Sequence, residues 1–150
     1  MADRRLVLDA NILVRAVLGT RVRGLIERYA GPVDLLVPES AIAEVQEHLP
    51  TILAKRQLAL EPVVEVLDRL RAFLQELPES FYAAQKDSAR ARLSGSDAQD
   101  WPVLACALAL ECSIWTEDRD FFGTGVATWT TGRVEIFLRS TVATSEIHDG

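Results

Sequence analysis

Four short apolar runs, set apart by segments of helical periodicity, restrict this chain more than any other feature. They are "RLVLDAN" (5–11), "VDLLVP" (33–38), "CSIWT" (112–116) and "VATWT" (126–130). An apolar run without polar alternation is a strand covered on both faces, and strands of that kind belong to parallel sheets wrapped in helices. The fold expected is therefore α/β, a three-layer α/β/α arrangement around a central, mostly parallel sheet of four to five strands.

The intervening segments carry the helices. "NILVRAVLG" runs to Gly19, and Thr20 opens a second short helix that closes at Gly31. Residues 39–57 read as a helix with a bend near Pro50. Residues 60–77 are strongly amphipathic, with Val63, Val64, Leu67, Leu70 and Leu74 on one stripe, and predict one long helix. A further helical stretch covers 79–93. "SDAQ" (96–99) has the form of a capping box and predicts a helix from there to about Cys112. Residues 131–140 are expected to close the fold as a helix, with a frayed tail over 141–150. No repeat or linker divides the chain, so 1–140 is expected to be a single domain.

Charge and cysteine content narrow the function classes. No apolar stretch spans a membrane, and the start before Asp9 is too short for the apolar core of a signal peptide. Cys106 and Cys112, six apart around a helix, do not face each other, so they read as two buried thiols and suggest a cytoplasmic protein. His48 and His148 are too scattered for a histidine metal site. The net charge of −6 argues against a nucleic-acid partner, because phosphate contacts supply most of that affinity. That objection weakens if the acids converge and hold a divalent metal, since a bound ion reverses the local sign.

Convergence follows from topology. Ligands of an open parallel sheet bind outside the carboxyl ends of its strands. Asp9 stands at the carboxyl end of the first strand, and Asp118 just past the carboxyl end of "CSIWT". Asp100 opens the helix that feeds that strand, so it faces the same rim. Each acid also has a plainer reading. Asp9 or Asn11 could cap the following helix, Asp97 and Asp100 could be first-turn acids, Asp118 and Asp120 turn residues, and Glu44 a solvated helix acid. Against this, two carboxylates about 4 Å apart repel by roughly 4 kcal/mol at an effective dielectric near 20. Oxygen-ligated Mg²⁺ or Mn²⁺ offsets such a cost.

These pieces, in order, resemble a known family. "LVLDANIL", "VPESAIAEV", "DWPVLACALAL" and "WTEDRDF" match the PIN domain, specifically the VapC-type toxin ribonucleases of bacterial toxin–antitoxin pairs. That pattern is a strand ending in Asp-x-Asn, a Glu on a helix, an Asp opening an Ala-rich helix, then Thr-x-Asp and Asp-Phe after the next strand. The resemblance runs from Leu6 to about Arg139. It implies a PIN-like fold and a metal-dependent endoribonuclease that hydrolyses RNA phosphodiesters with metal-activated water. It assigns Asp9, Glu44, Asp100 and Asp118 as catalytic acids and ligands of Mg²⁺ or Mn²⁺, with Asp120 a further ligand. Asp97, one turn from Asp100 on the same face, substitutes or assists. Asn11 and Thr116 match supporting positions that orient a carboxylate or a bound water.

Arg119, between two of these acids, is the basic residue best placed to touch an RNA phosphate. The stretches around Arg21 and Arg23, Lys55–Arg56 and Lys86–Arg90 are further candidates. The family implies an antitoxin partner and a homodimer, and the 60–77 and 103–110 segments could bury against a second copy. Two readings compete with the toxin. One is a stand-alone PIN nuclease without an antitoxin, the other a catalytically idle PIN-like binding or regulatory module. A response-regulator receiver needs a second strand ending in Asp and a late Lys, and this chain has neither.

Overall fold

The computed structural model describes residues 4–93 and 98–140. Among them, five strands form one wholly parallel sheet in the order β3-β2-β1-β4-β5. These are β1 (Arg5–Leu8), β2 (Asp34–Pro38), β3 (Gln75–Leu77), β4 (Ser113–Trp115) and β5 (Thr128–Trp129). The helices are α1 (Ala10–Leu18), α2 (Arg21–Tyr29), α3 (Glu39–Lys55), α4 (Leu60–Leu70), α5 (Glu79–Tyr82), α6 (Lys86–Arg92), α7 (Trp101–Leu110) and α8 (134–140).

The pleat of the apolar runs sorts them into two cores. Leu6 and Leu8 of β1 and Leu35 and Val37 of β2 join α1, α2, α3 and α4 on one face. Val7 and Leu36, the residues between them, join Tyr82 of α5, Ala89 of α6 and the Val103–Ala107 stretch of α7 on the other. β4 divides likewise, Trp115 to the first core and Ile114 to the second. Side chains alternate across a strand, so an unbroken apolar run supplies both cores at once. Leu6, Val7 and Leu8 have no exposed surface, and each contributes about 1.5–3 kcal/mol through burial. This is the expected three-layer α/β/α architecture.

Residues 60–77 depart from the sequence expectation. The helix stops at Leu70, residues Arg71–Phe73 make a 3-10 turn, and Gln75–Leu77 become an edge strand beside β2. Leu67, Leu70 and Leu74 are buried, but Val64 is exposed. The Arg71 guanidinium grips Glu76 with both Nε and Nη2, at 3.0 and 2.9 Å, and pins the turn to the new strand. The 79–93 stretch is also broken, with a 3-10 turn (Ala83–Gln85) between α5 and α6. α7 begins at Trp101 after a 3-10 turn over Ala98–Asp100, because Pro102 suits a first helical turn. The predicted cap at Ser96, and Asp97 with it, lie outside the described residues, as does the 141–150 tail. Cys106 is buried, but Cys112, past the end of α7, is only half-buried.

Candidate functional site: an acidic rim at the switch point

β1 is flanked by β2 on one side and β4 on the other, so strand order reverses between β1 and β4. A crevice opens at the carboxyl ends of the strands at such a point. Asp9 leaves β1 there and Thr116 leaves β4, with the Asp9 amide donating to the Trp115 carbonyl at 3.1 Å.

Asp9 is buried, and three donors hold it. Its Oδ1 accepts from the Ala10 amide at 2.7 Å, which is the helix cap expected of an Asp before α1. Its Oδ2 accepts from Asn11 Nδ2 at 2.9 Å and from the Thr116 hydroxyl at 2.7 Å. Thr116 Oγ1 in turn accepts from the Asp118 amide at 2.9 Å, and Asn11 Oδ1 from the Glu117 amide at 3.3 Å. Asn11 and Thr116 thus tie the end of β1 to the loop after β4. A carboxylate has about four lone-pair positions, so three donors leave Asp9 about one for a ligand.

The other acids gather around this anchor. Asp9, Glu44 and Asp100 line one cavity of about 380 Å³, with Ser40, Glu47 and His48 also on its wall. Carboxylate oxygens of Asp100, Asp118 and Asp120 lie within 4.8 Å of one another. Asp118 also receives the Asp120 amide on its Oδ1 at 2.9 Å, opening the 3-10 turn Arg119–Phe121. Burial pushes the Asp9 carboxyl above its ordinary 3.8. The Thr116 and Ala10 hydrogen bonds pull the other way, and the charges of Asp118 and Glu44 push it up again. The cap and turn readings of Asp9 and Asp118 therefore hold together with convergence, because the same oxygens serve both.

The structure brings Asp9, Glu44, Asp100, Asp118 and Asp120 to one rim, with Asn11 and Thr116 beneath them. Arg119 is exposed and does not line the cavity. Sequence reading set His48 aside as a metal ligand and did not single out Glu47. The signal for His48 was its i, i+4 spacing from Glu44, which puts both on one face of α3. The donor set is all hard oxygen, which suits Mg²⁺ or Mn²⁺ better than a soft metal.

Fold and site together define a class: a parallel α/β protein with a cluster of carboxylates at its topological switch point. A family model for the PIN domain matches residues 7–139, and the chain belongs to that family, whose members are generally nucleases and typically use a divalent metal. Solved structures of similar fold include VapBC2 from Rickettsia felis, determined bound to a DNA fragment from its promoter. That match has 16% identity and a TM-score of 0.65, and covers 84% of this chain and 98% of the other. PAE2754 from Pyrobaculum aerophilum gives 17%, 0.65, 94% and 91% in the same order. FitAcB from Neisseria gonorrhoeae gives 18%, 0.58, 85% and 98%. No curated protein matches the sequence.

Proposed function

We propose that this chain is a Mg²⁺- or Mn²⁺-dependent endoribonuclease whose metal is held by Asp9, Glu44, Asp100 and Asp118, with Asp120 beside them. The observation that carries the proposal is the cluster itself. Three carboxylates have oxygens within 4.8 Å, beside a buried fourth whose ionisation the charges of Asp118 and Glu44 oppose. A fold that keeps such a group together carries a mutual repulsion that a bound cation would relieve.

A bound divalent ion would supply a nucleophilic water near neutral pH and neutralise charge on the phosphoryl oxygens. The chain's own residues orient that chemistry. Thr116 and Asn11 fix the plane of the Asp9 carboxylate, so its remaining lone pair has one direction. Asp118 is held by the Thr116 hydroxyl and by its own turn. Protein nucleophiles are poorly supported. Ser40 and His48 share the cavity but stand eight residues apart on α3, roughly 12 Å along its axis. The Cys106 and Cys112 thiols are pushed up to about 12 and about 11 by burial, far from the thiolate state.

The fold likeness to VapBC2 and FitAcB supports a second step of the proposal: the chain acts as the toxin of a pair, with an antitoxin partner. A homodimeric form is proposed from the family resemblance alone. Among the described residues, no helix is long and apolar enough to cross a membrane.

The test is purified protein on single-stranded RNA with and without Mn²⁺, beside Asp9→Asn and Asp100→Asn. Cleavage should need the metal and fall more than about 100-fold in each folded variant. Activity that survives EDTA, or folded variants that remain active, refutes the assignment. A wild-type protein that binds no Mn²⁺ would instead be the idle module. Co-purification with the product of a neighbouring reading frame tests the antitoxin.

A further inference from the structure

The acidic cavity raises a problem for its own substrate. Its wall holds Asp9, Glu44, Glu47 and Asp100 and no lysine or arginine, so it offers nothing to the phosphates flanking a scissile bond. A second cavity, of about 530 Å³, has the opposite character. Arg15, Arg21 and Arg56 line it, opposed by the single acid Glu117. The three arginines come from different places: mid-α1, the first residue of α2, and the cap that ends α3.

Of the three, only Arg21 has an ion-pair partner outside the cavity among the described residues, and that pair is long. Arg15 and Arg56 are exposed and form no ion pair there. Arg21 approaches Glu135 only to 3.9 Å, and Glu135 is already held by Arg139 at 2.7 Å. Arg56 stands on a fixed backbone: the Leu58 amide closes onto the Leu53 carbonyl at 2.9 Å and the Gln57 amide onto Ala54 at 3.2 Å, a Schellman closure. The opposing Glu117 is partly occupied, since its Oε1 accepts from the Thr131 amide at 2.6 Å.

Glu117 also locates this cavity relative to the first. It lies between Thr116 and Asp118, so the basic cavity begins at the loop that carries the acids. We propose that the Arg15–Arg21–Arg56 cavity is the subsite that holds the sugar–phosphate backbone of a single-stranded RNA whose scissile phosphate lies at the acidic rim. A polyanion crossing an acid-walled site needs cations beside that site, and in a chain of net charge −6 a local excess of three arginines over one acid is the feature that supplies them. The interaction is with phosphate, so it holds the strand in register without reading its sequence. This inference rests on the ribonuclease reading, and its test separates the two.

The experiment measures fluorescence anisotropy of a labelled 12-nucleotide single-stranded RNA of mixed sequence. EDTA prevents cleavage, and the salt is varied from about 50 to 200 mM. The proteins are wild type, the triple variant Arg15→Gln/Arg21→Gln/Arg56→Gln, and a control double, Arg28→Gln/Arg69→Gln. Removing one arginine–phosphate interaction should flatten the slope of log K against log salt by about 0.7, so the triple should flatten it by about 2 and the control not at all. In Mn²⁺ the triple should raise KM and leave kcat near wild type. An unchanged slope and KM in the folded triple overturns the subsite. So does a cavity that binds a 12-residue polyglutamate in preference to the RNA, which would make it a site for an acidic protein segment. If the slope falls but wild type never cleaves RNA, the subsite stands and the ribonuclease reading fails.

Discussion

Asp118→Asn isolates the repulsion on which the functional proposal depends. The change removes one negative charge but keeps an Oδ1 acceptor for the Asp120 amide, and Asn caps a turn as well as Asp does. At the 4.8 Å limit, one carboxylate pair repels by about 3.5 kcal/mol at a dielectric of 20 and about 0.9 kcal/mol in bulk water. Asp120 is exposed and only two residues from Asp118, so that pair repels in the unfolded chain as well and largely cancels. Folding creates the Asp118–Asp100 pair, both members half-buried, together with the field of Asp118 on Asp9. After screening, the relief is about 2 kcal/mol, which for a chain of this length raises Tm by roughly 4–8 °C. The assay is calorimetry in EDTA, repeated with excess Mn²⁺. With metal the order should invert, because ligand at about 100 times its Kd stabilises the wild type by about 2.7 kcal/mol. Asp118→Ala is the companion, since it loses the turn acceptor at a cost of about 0.5–2 kcal/mol. A fall of Tm in EDTA for Asp118→Asn would refute the reasoning and leave Asp118 a structural cap.

Other consequences are independent of that pair. The raised carboxyl of Asp9 means the folded protein holds a proton there more tightly than the unfolded chain, so without metal this group's contribution to stability falls as pH rises from about 3.8 through its raised value. Urea midpoints over that range should show a shallower pH dependence in Asp9→Asn, and equal dependence in both proteins would contradict the shift. Cys106 and Cys112, pushed up to about 12 and about 11, should resist iodoacetamide at pH 8 in the folded protein and react once urea unfolds it; rapid labelling of the native form would refute the raised thiols. Glu111 ends α7 at φ 53°, ψ 51°, a conformation that favours glycine, so Glu111→Gly should stabilise by about 0.5–1 kcal/mol in chemical denaturation, and a loss of stability would refute the strain.

Strand content was legible wherever burial on both faces left an unbroken apolar run. β1, β2 and β4 supply both cores and announce themselves in composition. β3 does not, because an edge strand needs only one paired side, and Gln75 and Glu76 suit an edge that must not recruit another chain. The stripe of Leu67, Leu70 and Leu74 ran into it and disguised it as helix. A local signal was nevertheless present. "VPES" (37–40) ends β2 and opens α3, and "LPES" (77–80) ends β3 and opens α5. The echo is physical: Pro disfavours helix in the residue before it, terminates the strand, and leaves the following Glu in a first helical turn. Pro38 pairs in register with Leu77, so the two strands end side by side.

The site was legible for a different reason. Its acids are far apart in sequence, and their meeting depends on strand direction and order, which the alternation of apolar runs and helices already restricts. Propensity could not reveal how Asp9 is held. Asn11 and Thr116 reach it through hydrogen bonds within two residues and across 107, and only the second is a fact of the fold. Helix spacing could have shown His48 beside Glu44, but not that α3 turns this face toward Asp100 across the cavity. The basic cavity was least legible of all. Arg21 and Arg56 stood only among several basic stretches that could touch a phosphate, and Arg15 was not singled out, since nothing local distinguishes a cation facing open water from one facing two others. Their meeting depends on how α1, α2 and the end of α3 cross above the first core. Acids at strand ends are positioned by the sheet and can be inferred from topology. Cations on helix surfaces are positioned by helix packing, which a pattern of buried residues leaves free to rotate.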